Sequence, residues 1–173
     1  MSDETVVNHI SKYAYGISCR RPWIEGEHVE EDKQWDSNEC AWKANNQMSW
    51  YIHRGDNISR ADPIRHPFYC TLVDRENLRS INTSIYFCGA SMAPNRLTTH
   101  VMLLCKMTAS FDTSLFDELP QITNRYGEKY RKLSYFVEMK VSSGSLEWTL
   151  DYEGMKKESA SIAIDYQSNN RRK

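Results

Sequence analysis

The chain has 173 residues and a mass of 20.3 kDa, a size that fits one domain. Its 22 basic and 23 acidic residues leave a net charge of -1, which argues against a dedicated nucleic-acid-binding surface. The longest apolar runs, such as residues 101–105, are far too short to cross a bilayer, so we expect no membrane span either.

The first third of the chain combines one weak helical pattern, one strand and one long loop. Valine and isoleucine recur at helical spacing over residues 6–10 behind a capping Ser2-Asp3, which predicts an N-terminal helix. Residues 13–19 are typical of a strand. Residues 20–44 are acidic and poor in aliphatic side chains, which predicts a loop whose tryptophans either hold it together or line a groove: Trp23, Trp35 and Trp42.

The middle of the chain predicts strands separated by turns. Residues 47–53 fit a strand or the end of a helix, and they stop at the turn-forming residues 54–57. Residues 68–73 and 83–88 are rich in β-branched and aromatic residues, as strands are. Further along, residues 100–109 predict a strand whose first half is buried on both faces.

The C-terminal half carries the strongest pattern. Asp112 can cap a short helical turn over residues 114–119. Three later segments alternate apolar and polar side chains and are joined by glycine turns: residues 133–142, 146–152 and 162–166. A period of two over three successive segments predicts an antiparallel three-stranded meander with one solvated face and with Trp148 and Tyr152 in the core.

The five cysteines are widely spaced and match neither a zinc ribbon nor a redox pair: Cys19, Cys40, Cys70, Cys88 and Cys105. An odd number of such thiols suits a reducing compartment. The first ten residues have neither the basic segment nor the apolar segment of a secretory leader. The sequence therefore predicts a cytosolic protein, and it gives no reason to expect a cofactor or a metal.

No common catalytic motif occurs: there is no glycine-rich phosphate loop, no nucleophile elbow and no zinc-binding helix motif. We therefore predict that the protein is not an enzyme. The alternative is a small enzyme whose site is assembled from distant residues, which requires a concave pocket that gathers two or more of His53, His66, Cys70 and His100. His66 and Cys70 share one strand face, although an interior thiol beside a loop histidine is the simpler interpretation.

Binding needs less. A meander with an exposed edge can accept an extended peptide as an additional strand. Aromatic side chains can line a groove beside such an edge, and a neighbouring arginine and histidine can pair with carboxylates. The candidate peptide-contacting residues are Trp50, Arg65, His66, Phe68 and Tyr69.

Several segments, in this order and spacing, resemble a known family. They are residues 13–16, 35–36, 46–56, 63–69, 93–97, 137–139 and 145–154. Together they resemble the C-terminal, β-rich region of divergent seventy-kilodalton heat-shock-type proteins with an actin-like ATPase domain, a group abundant in filamentous fungi. The resemblance covers about residues 10–166. It implies no ATP hydrolysis, because the segments that carry the phosphate loops in that family have no counterpart here.

The resemblance also implies a domain organisation. Residues 1–19 would be the last helix and strand of an actin-like ATPase domain, and residues 20–166 a β-rich domain in the place of the peptide-binding domain. The polar tail at residues 167–173 predicts disorder.

The fold class predicted from all of this is mainly β with some helix (α+β). We expect β-sandwich-like antiparallel sheets that end in the three-stranded meander, together with the N-terminal helix. The predicted function is a non-catalytic, chaperone-like module that holds an extended polypeptide or docks on a separate ATPase, without nucleic-acid or membrane partners. Besides the enzyme, a degenerate fragment without independent function is the remaining alternative.

Overall fold

A computed structural model describes residues 8–59, 62–142, 144–163 and 166–169. The chain is mainly β, as the sequence predicts. The strands are β1 (Asn8–Ser11), β2 (Ala14–Pro22), β3 (Lys33–Asp36), β4 (Ala41–Ile52), β5 (Ile64–Leu72), β6 (Ile81–Cys88), β7 (Val101–Ala109), β8 (Gln121–Thr123), β9 (Lys129–Ser142), β10 (Ser145–Tyr152), β11 (Met155–Ala163) and β12 (Tyr166–Asn169). Short 3-10 turns lie at Glu30–Asp32, Arg75–Arg79 and Thr113–Glu118. Within the described residues, no helix is long and apolar enough to span a membrane.

Two antiparallel five-stranded sheets make up the body of the molecule. The first sheet has the order β3-β4-β2-β6-β7. The second sheet has the order β11-β10-β9-β5, and β8 also pairs with β9. A separate pair is formed by β1 and β12. Apolar side chains from both five-stranded sheets pack together, so the architecture is a β-sandwich.

The predicted N-terminal helix is wrong. Residues 8–11 form β1, and the helix-like elements of the described residues are 3-10 turns only. Residues 6 and 7 of the apparent helical pattern lie outside the described residues. One amphipathic turn is too short to nucleate a stable helix, whereas β1 is held by β12 and by the turn that follows β4, where the Ser11 N–H donates to the Asp56 carbonyl at 2.9 Å.

The structure at residues 167–169 also differs from the prediction. Residues 167–169, which we predicted to be disordered, lie in β12 and pair with β1; residues 170–173 lie outside the described residues. The meander is present as β9, β10 and β11. Its third strand begins at Met155, directly after the turn at residues 153–154 and earlier than the alternation at residues 162–166 indicates. The polar residues 156–159 and a register shift between Thr149 and Leu150 interrupt the alternation at the start of this strand.

The acidic segment at residues 20–44 is not one loop. It holds the end of β2 and the hairpin of β3 and β4, in which Trp35 and Trp42 sit on paired positions with ring centroids 5.3 Å apart. Trp42 is 49% exposed. A hairpin with exposed tryptophans and charged neighbours has no apolar face for a sequence pattern to reveal. β7 also differs from its prediction, because Met102 and Leu103, in the half expected to be buried on both faces, are 57% and 48% exposed.

The inner faces of the sandwich form two apolar clusters. The first, here called the Trp148 cluster, joins both sheets and is built from Tyr15, Ile17, Tyr51, Ile52, Ile58, Ile85, Met107, Val137, Met139, Leu146 and Trp148. The second, the Leu78 cluster, contains Leu72, Leu78, Ile81, Ala109, Phe111, Leu119, Leu133, Leu150 and Tyr152. Trp148 and Tyr152 are therefore core residues, as predicted.

Candidate functional site: a cleft between the two sheets

A cleft with a volume of about 700 Å³ opens between the two sheets and borders both apolar clusters. Its walls are β2, β4 and β6 of the first sheet and β5 and β9 of the second. Protein interiors are normally close-packed. A space of this size lies within the range of roughly 300–1,000 Å³ that is usual for ligand sites. The cleft is therefore the candidate functional site.

Strand β5 supplies most of the second-sheet wall of the cleft. Its exposure alternates, with Arg65, Pro67 and Tyr69 exposed and His66 and Phe68 partly buried. This alternation follows from the pleat of a strand, which sends successive side chains to opposite faces. The face with His66 and Phe68 is turned towards the first sheet, where the His66 ring meets Ser49 and Tyr51.

Three of the five predicted contact residues line the cleft: His66, Phe68 and Tyr69. The other two lie elsewhere. Trp50 packs beside a smaller apolar cluster, and its indole N–H donates to the Pro94 carbonyl at 2.8 Å. Arg65 lies on the exposed face of β5, where it pairs with Asp151 at 3.0 Å.

His66 connects the two sheets at the side of the cleft next to the Trp148 cluster. Its Nδ1 lies 2.7 Å from the Ser49 hydroxyl, and its ring stacks on Tyr51 with centroids 4.0 Å apart. Tyr51 in turn donates its hydroxyl hydrogen to the Val137 carbonyl. Burial, and after it the charge of Arg21, lower the pKa of His66. The imidazole is therefore a neutral hydrogen-bonding group at neutral pH.

Basic side chains lie at the edge of this space. Arg20 is paired with Asp36 at 3.0 Å, and Lys43 is paired with Glu39. Arg21 donates to the Met48 carbonyl at 3.3 Å. These three cations line the cleft, whereas the described lining residues include neither aspartate nor glutamate. The charged side chains among the described lining residues are therefore all basic, although two of the three are paired with carboxylates.

Two thiols also line the cleft, Cys19 and Cys70. Burial raises the pKa of both, that of Cys70 to about 11, so each thiol stays protonated at neutral pH. His66 and Cys70 thus occupy one pocket, as the enzyme alternative requires, while His53 and His100 are exposed at other places. A protonated thiol beside a neutral imidazole is not an activated nucleophile.

Among the residues that the structure describes, no group of three or more histidines, cysteines and acidic residues is placed to hold a metal ion. The chemistry that the cleft offers is hydrogen bonding from hydroxyls and amides, aromatic surface at Phe68 and Tyr135, and positive charge. These groups suit the binding of a ligand.

Sequence reasoning predicted strands in the first-sheet wall of the cleft but placed no candidate site residue on that wall. Arg21 and Lys43 fall inside the segment that was predicted to be a loop, and Ser49 carries no motif. One pattern indicates part of this wall: Ile17, Cys19 and Arg21 continue one strand face beyond the predicted end of the strand at residue 19.

Comparisons with known proteins place the chain in a family. A search of curated proteins and a search of solved structures gave no match. The resemblance to heat-shock-type proteins is therefore still a prediction. A family model described as a domain of unknown function, DUF8568, matches residues 9–162, a range that includes every strand lining the cleft. Because the match covers far more than half of the chain, the protein belongs to the DUF8568 family.

Proposed function

We propose that the protein is a non-catalytic binding module that holds an extended polypeptide segment along β5. The observation that carries this proposal is the position of the cleft: most of its second-sheet wall comes from β5, which is an edge strand. A peptide that pairs with an edge strand gains affinity from its main chain and specificity from pockets for alternate side chains. Here an edge and a pocket lie side by side.

The outer edge of β5 has room for a partner strand. β5 pairs with β9 on one side and is the last strand of its sheet on the other. In the described part of the chain, no backbone hydrogen bond from a turn or loop reaches β5. Pro67 fits such an edge, since a proline within a sheet is tolerated where its nitrogen faces away from the neighbouring strand. In that register, Arg65 and Tyr69 direct their N–H groups to the open side.

The open stretch has a defined end. Near the C-terminal end of β5, Asn38 donates its side-chain amide to the Thr71 hydroxyl at 2.9 Å, and Tyr69 donates to Glu39. The turn between β3 and β4 therefore flanks this end of the strand. Residues 64–69 are left for pairing, which matches a peptide of about six residues. Because an added strand continues the pleat of the sheet, every second side chain of that peptide enters the cleft.

The partner and the setting belong to the same proposal. A chaperone-like role, a cytosolic location and docking on a separate ATPase rest on the resemblance to heat-shock-type proteins. The cleft itself supports only the narrower function, which is binding of an extended segment.

The test uses a six-residue peptide of alternating apolar and polar residues, labelled for fluorescence anisotropy. Two versions carry N-methyl groups on alternate residues, in the two opposite registers. Pairing with β5 predicts that one version loses binding, because its N–H groups facing β5 are removed, and that the other binds like the parent peptide. Amide chemical shifts of residues 64–69 should move on binding. Equal binding of both versions, or no saturable binding, contradicts the proposal.

A further inference from the structure

We infer that the cleft selects an acidic side chain of the bound polypeptide, and that Arg21 is the residue that recognises it. This inference rests on the proposed function, since it states the chemistry of the segment that the module would hold. It depends on the charge of the cleft, on the position of Arg21 and on a local irregularity of β4.

The three cations of the cleft differ in how they are neutralised. Arg20 has Asp36 at 3.0 Å, and Lys43 has Glu39 and the Tyr69 hydroxyl. Of the residues that the structure describes, no carboxylate lies within salt-bridge distance of Arg21, and its one hydrogen bond to a backbone carbonyl leaves most of its guanidinium donors without a protein acceptor. Arg21 is therefore the cation of the cleft that has charge to offer a ligand.

Arg21 is also directed at the space that a peptide side chain would enter. Arg21 itself lines the cleft, together with Cys19 two residues earlier on the same strand and His66 on the opposite sheet. Its charge also acts on His66 of the opposite sheet, where it adds to the effect of burial in lowering the imidazole pKa. The positive charge of Arg21 thus acts on the β5 wall of the cleft, beside the proposed path of the peptide.

The strand next to Arg21 carries a bulge. Between the pairs Cys19–Gln47 and Arg21–Ala44, β4 has one more residue than β2, and Asn46 there has a φ of 56°, in the left-handed region. Bulges bend a strand and redirect side chains, and they are frequent next to functional sites. Asn45 and Asn46 both line the cleft. The irregularity therefore lies where the recognised group would bind.

A carboxylate is the anion that fits both the site and the proposed ligand. Guanidinium and carboxylate form paired, charge-assisted hydrogen bonds, which are about twice as strong as neutral ones. Among the natural side chains of a polypeptide, those of aspartate and glutamate supply that group. The lining holds no acidic side chain in its described part that would repel such a ligand.

The test compares two six-residue peptides that are acetylated and amidated at their ends, so that no terminal carboxylate contributes. One carries glutamate and the other glutamine at the positions facing the cleft. Binding is measured in 0.15 M salt with the wild-type chain, with Arg21→Gln, and with Lys106→Gln as a control that removes one exposed positive charge from β7, outside the cleft.

We expect the wild-type chain and Lys106→Gln to bind the glutamate peptide about tenfold more tightly than the glutamine peptide, and Arg21→Gln to bind both equally. Because Arg21 is exposed, its variant should keep the melting temperature within about 2 °C. The inference is overturned if Arg21→Gln keeps the preference, or if the wild-type chain binds both peptides alike while the N-methyl effect persists. If the wild-type chain binds neither peptide, the proposed function fails and the inference falls with it.

Discussion

The interior of the sandwich is filled at the Trp148 cluster and open at the cleft, although the same strands build both regions. On β4, Tyr51 packs in the cluster and Ser49, two residues away, lines the cleft. On β6, Ile85 and Thr83 show the same change. Each of these two strands thus changes from a large apolar side chain to a small polar one within two residues, although Ser49 is level with Ile17 and Ile85, and Thr83 lies further along the sheet. The cleft is therefore a property of the strand sequences and needs no loop to form it.

The filled region should carry the stability of the domain. Trp148 is fully buried and meets Tyr51 edge to face at 4.9 Å. We expect Trp148→Ala to lower the free energy of unfolding by about 4 kcal/mol, because it leaves a large cavity. Urea denaturation measures this. The matched control is Trp42→Ala, at a 49% exposed site, which should cost under about 1 kcal/mol. Equal losses in the two variants would contradict the difference between filled core and surface.

A second comparison concerns two arginines. Arg96 binds the buried Asp32 with contacts of 2.6 and 2.9 Å, and the Asn46 and Gln47 amides donate to the same carboxylate. Replacing Arg96 with methionine leaves a buried carboxylate without its cation and should cost about 3 kcal/mol at pH 7. Arg21→Gln should cost under about 0.5 kcal/mol, since Arg21 is exposed. Urea unfolding of both variants measures the two losses.

The pH dependence of the stability that Arg96→Met loses tests whether the ion pair is the source of the loss. Hydrogen bonding from Arg96 is the main cause that lowers the pKa of Asp32 below 3.8. A carboxyl group with a depressed pKa stabilises the fold above 3.8, and this stability is lost as the pH falls through the lower, folded-state value. The difference between the wild-type chain and Arg96→Met should therefore shrink in strong acid. A difference that is independent of pH would show that the ion pair is not its source.

The thiol of Cys70 tests whether the open region is chemically active. Since burial raises its pKa to about 11, alkylation by iodoacetamide at pH 8 should be on the order of a hundredfold slower than that of a model thiol. The rate at Cys70, followed by mass spectrometry, should still rise with pH above 9. Rapid alkylation at pH 7 would indicate an activated thiolate and favour the enzyme alternative.

The smallest effect is expected at His66. Because burial and Arg21 lower its pKa below 6.5, the unfolded chain takes up this proton more readily than the folded one. The stability that His66 contributes is present above pH 6.5 and is lost as the pH falls through the folded-state value. His66→Gln should flatten the pH dependence of unfolding in this window, and Arg21→Gln should raise the pKa of His66 in an NMR titration. An unchanged titration would place the charge of Arg21 outside the cleft.

Local sequence patterns predicted where several strands lie and which of their side chains share a face. The alternation over β9 and β10 predicted the meander and the burial of Trp148, and a spacing of four placed His66 and Cys70 on one face. These features depend on the period of a single strand. The period within one strand can be recognised without knowing which strand pairs with it.

Non-local pairing is what the sequence could not reveal. β1 pairs with β12, more than 150 positions away in the chain, and Asn8 lies opposite Asn169. A short helical pattern therefore led to the wrong prediction for this segment. The cleft likewise combines β2 and β4 with a wall from the other sheet, and no spacing joins Arg21 to His66. Residues 20–44 were missed because exposed tryptophans and charges give their strands no apolar face.

The pairing of β1 with β12 also has a mechanical consequence. Asn8 lies opposite Asn169 and Ser11 opposite Tyr166, so the outermost residues of both strands face each other at one end of the small sheet. A force that pulls Asn8 and Asn169 apart acts on the hydrogen bonds of this pair one after another. The bonds therefore break singly and do not share the load. The small sheet should therefore open at low force, while the two large sheets and the cleft between them remain folded.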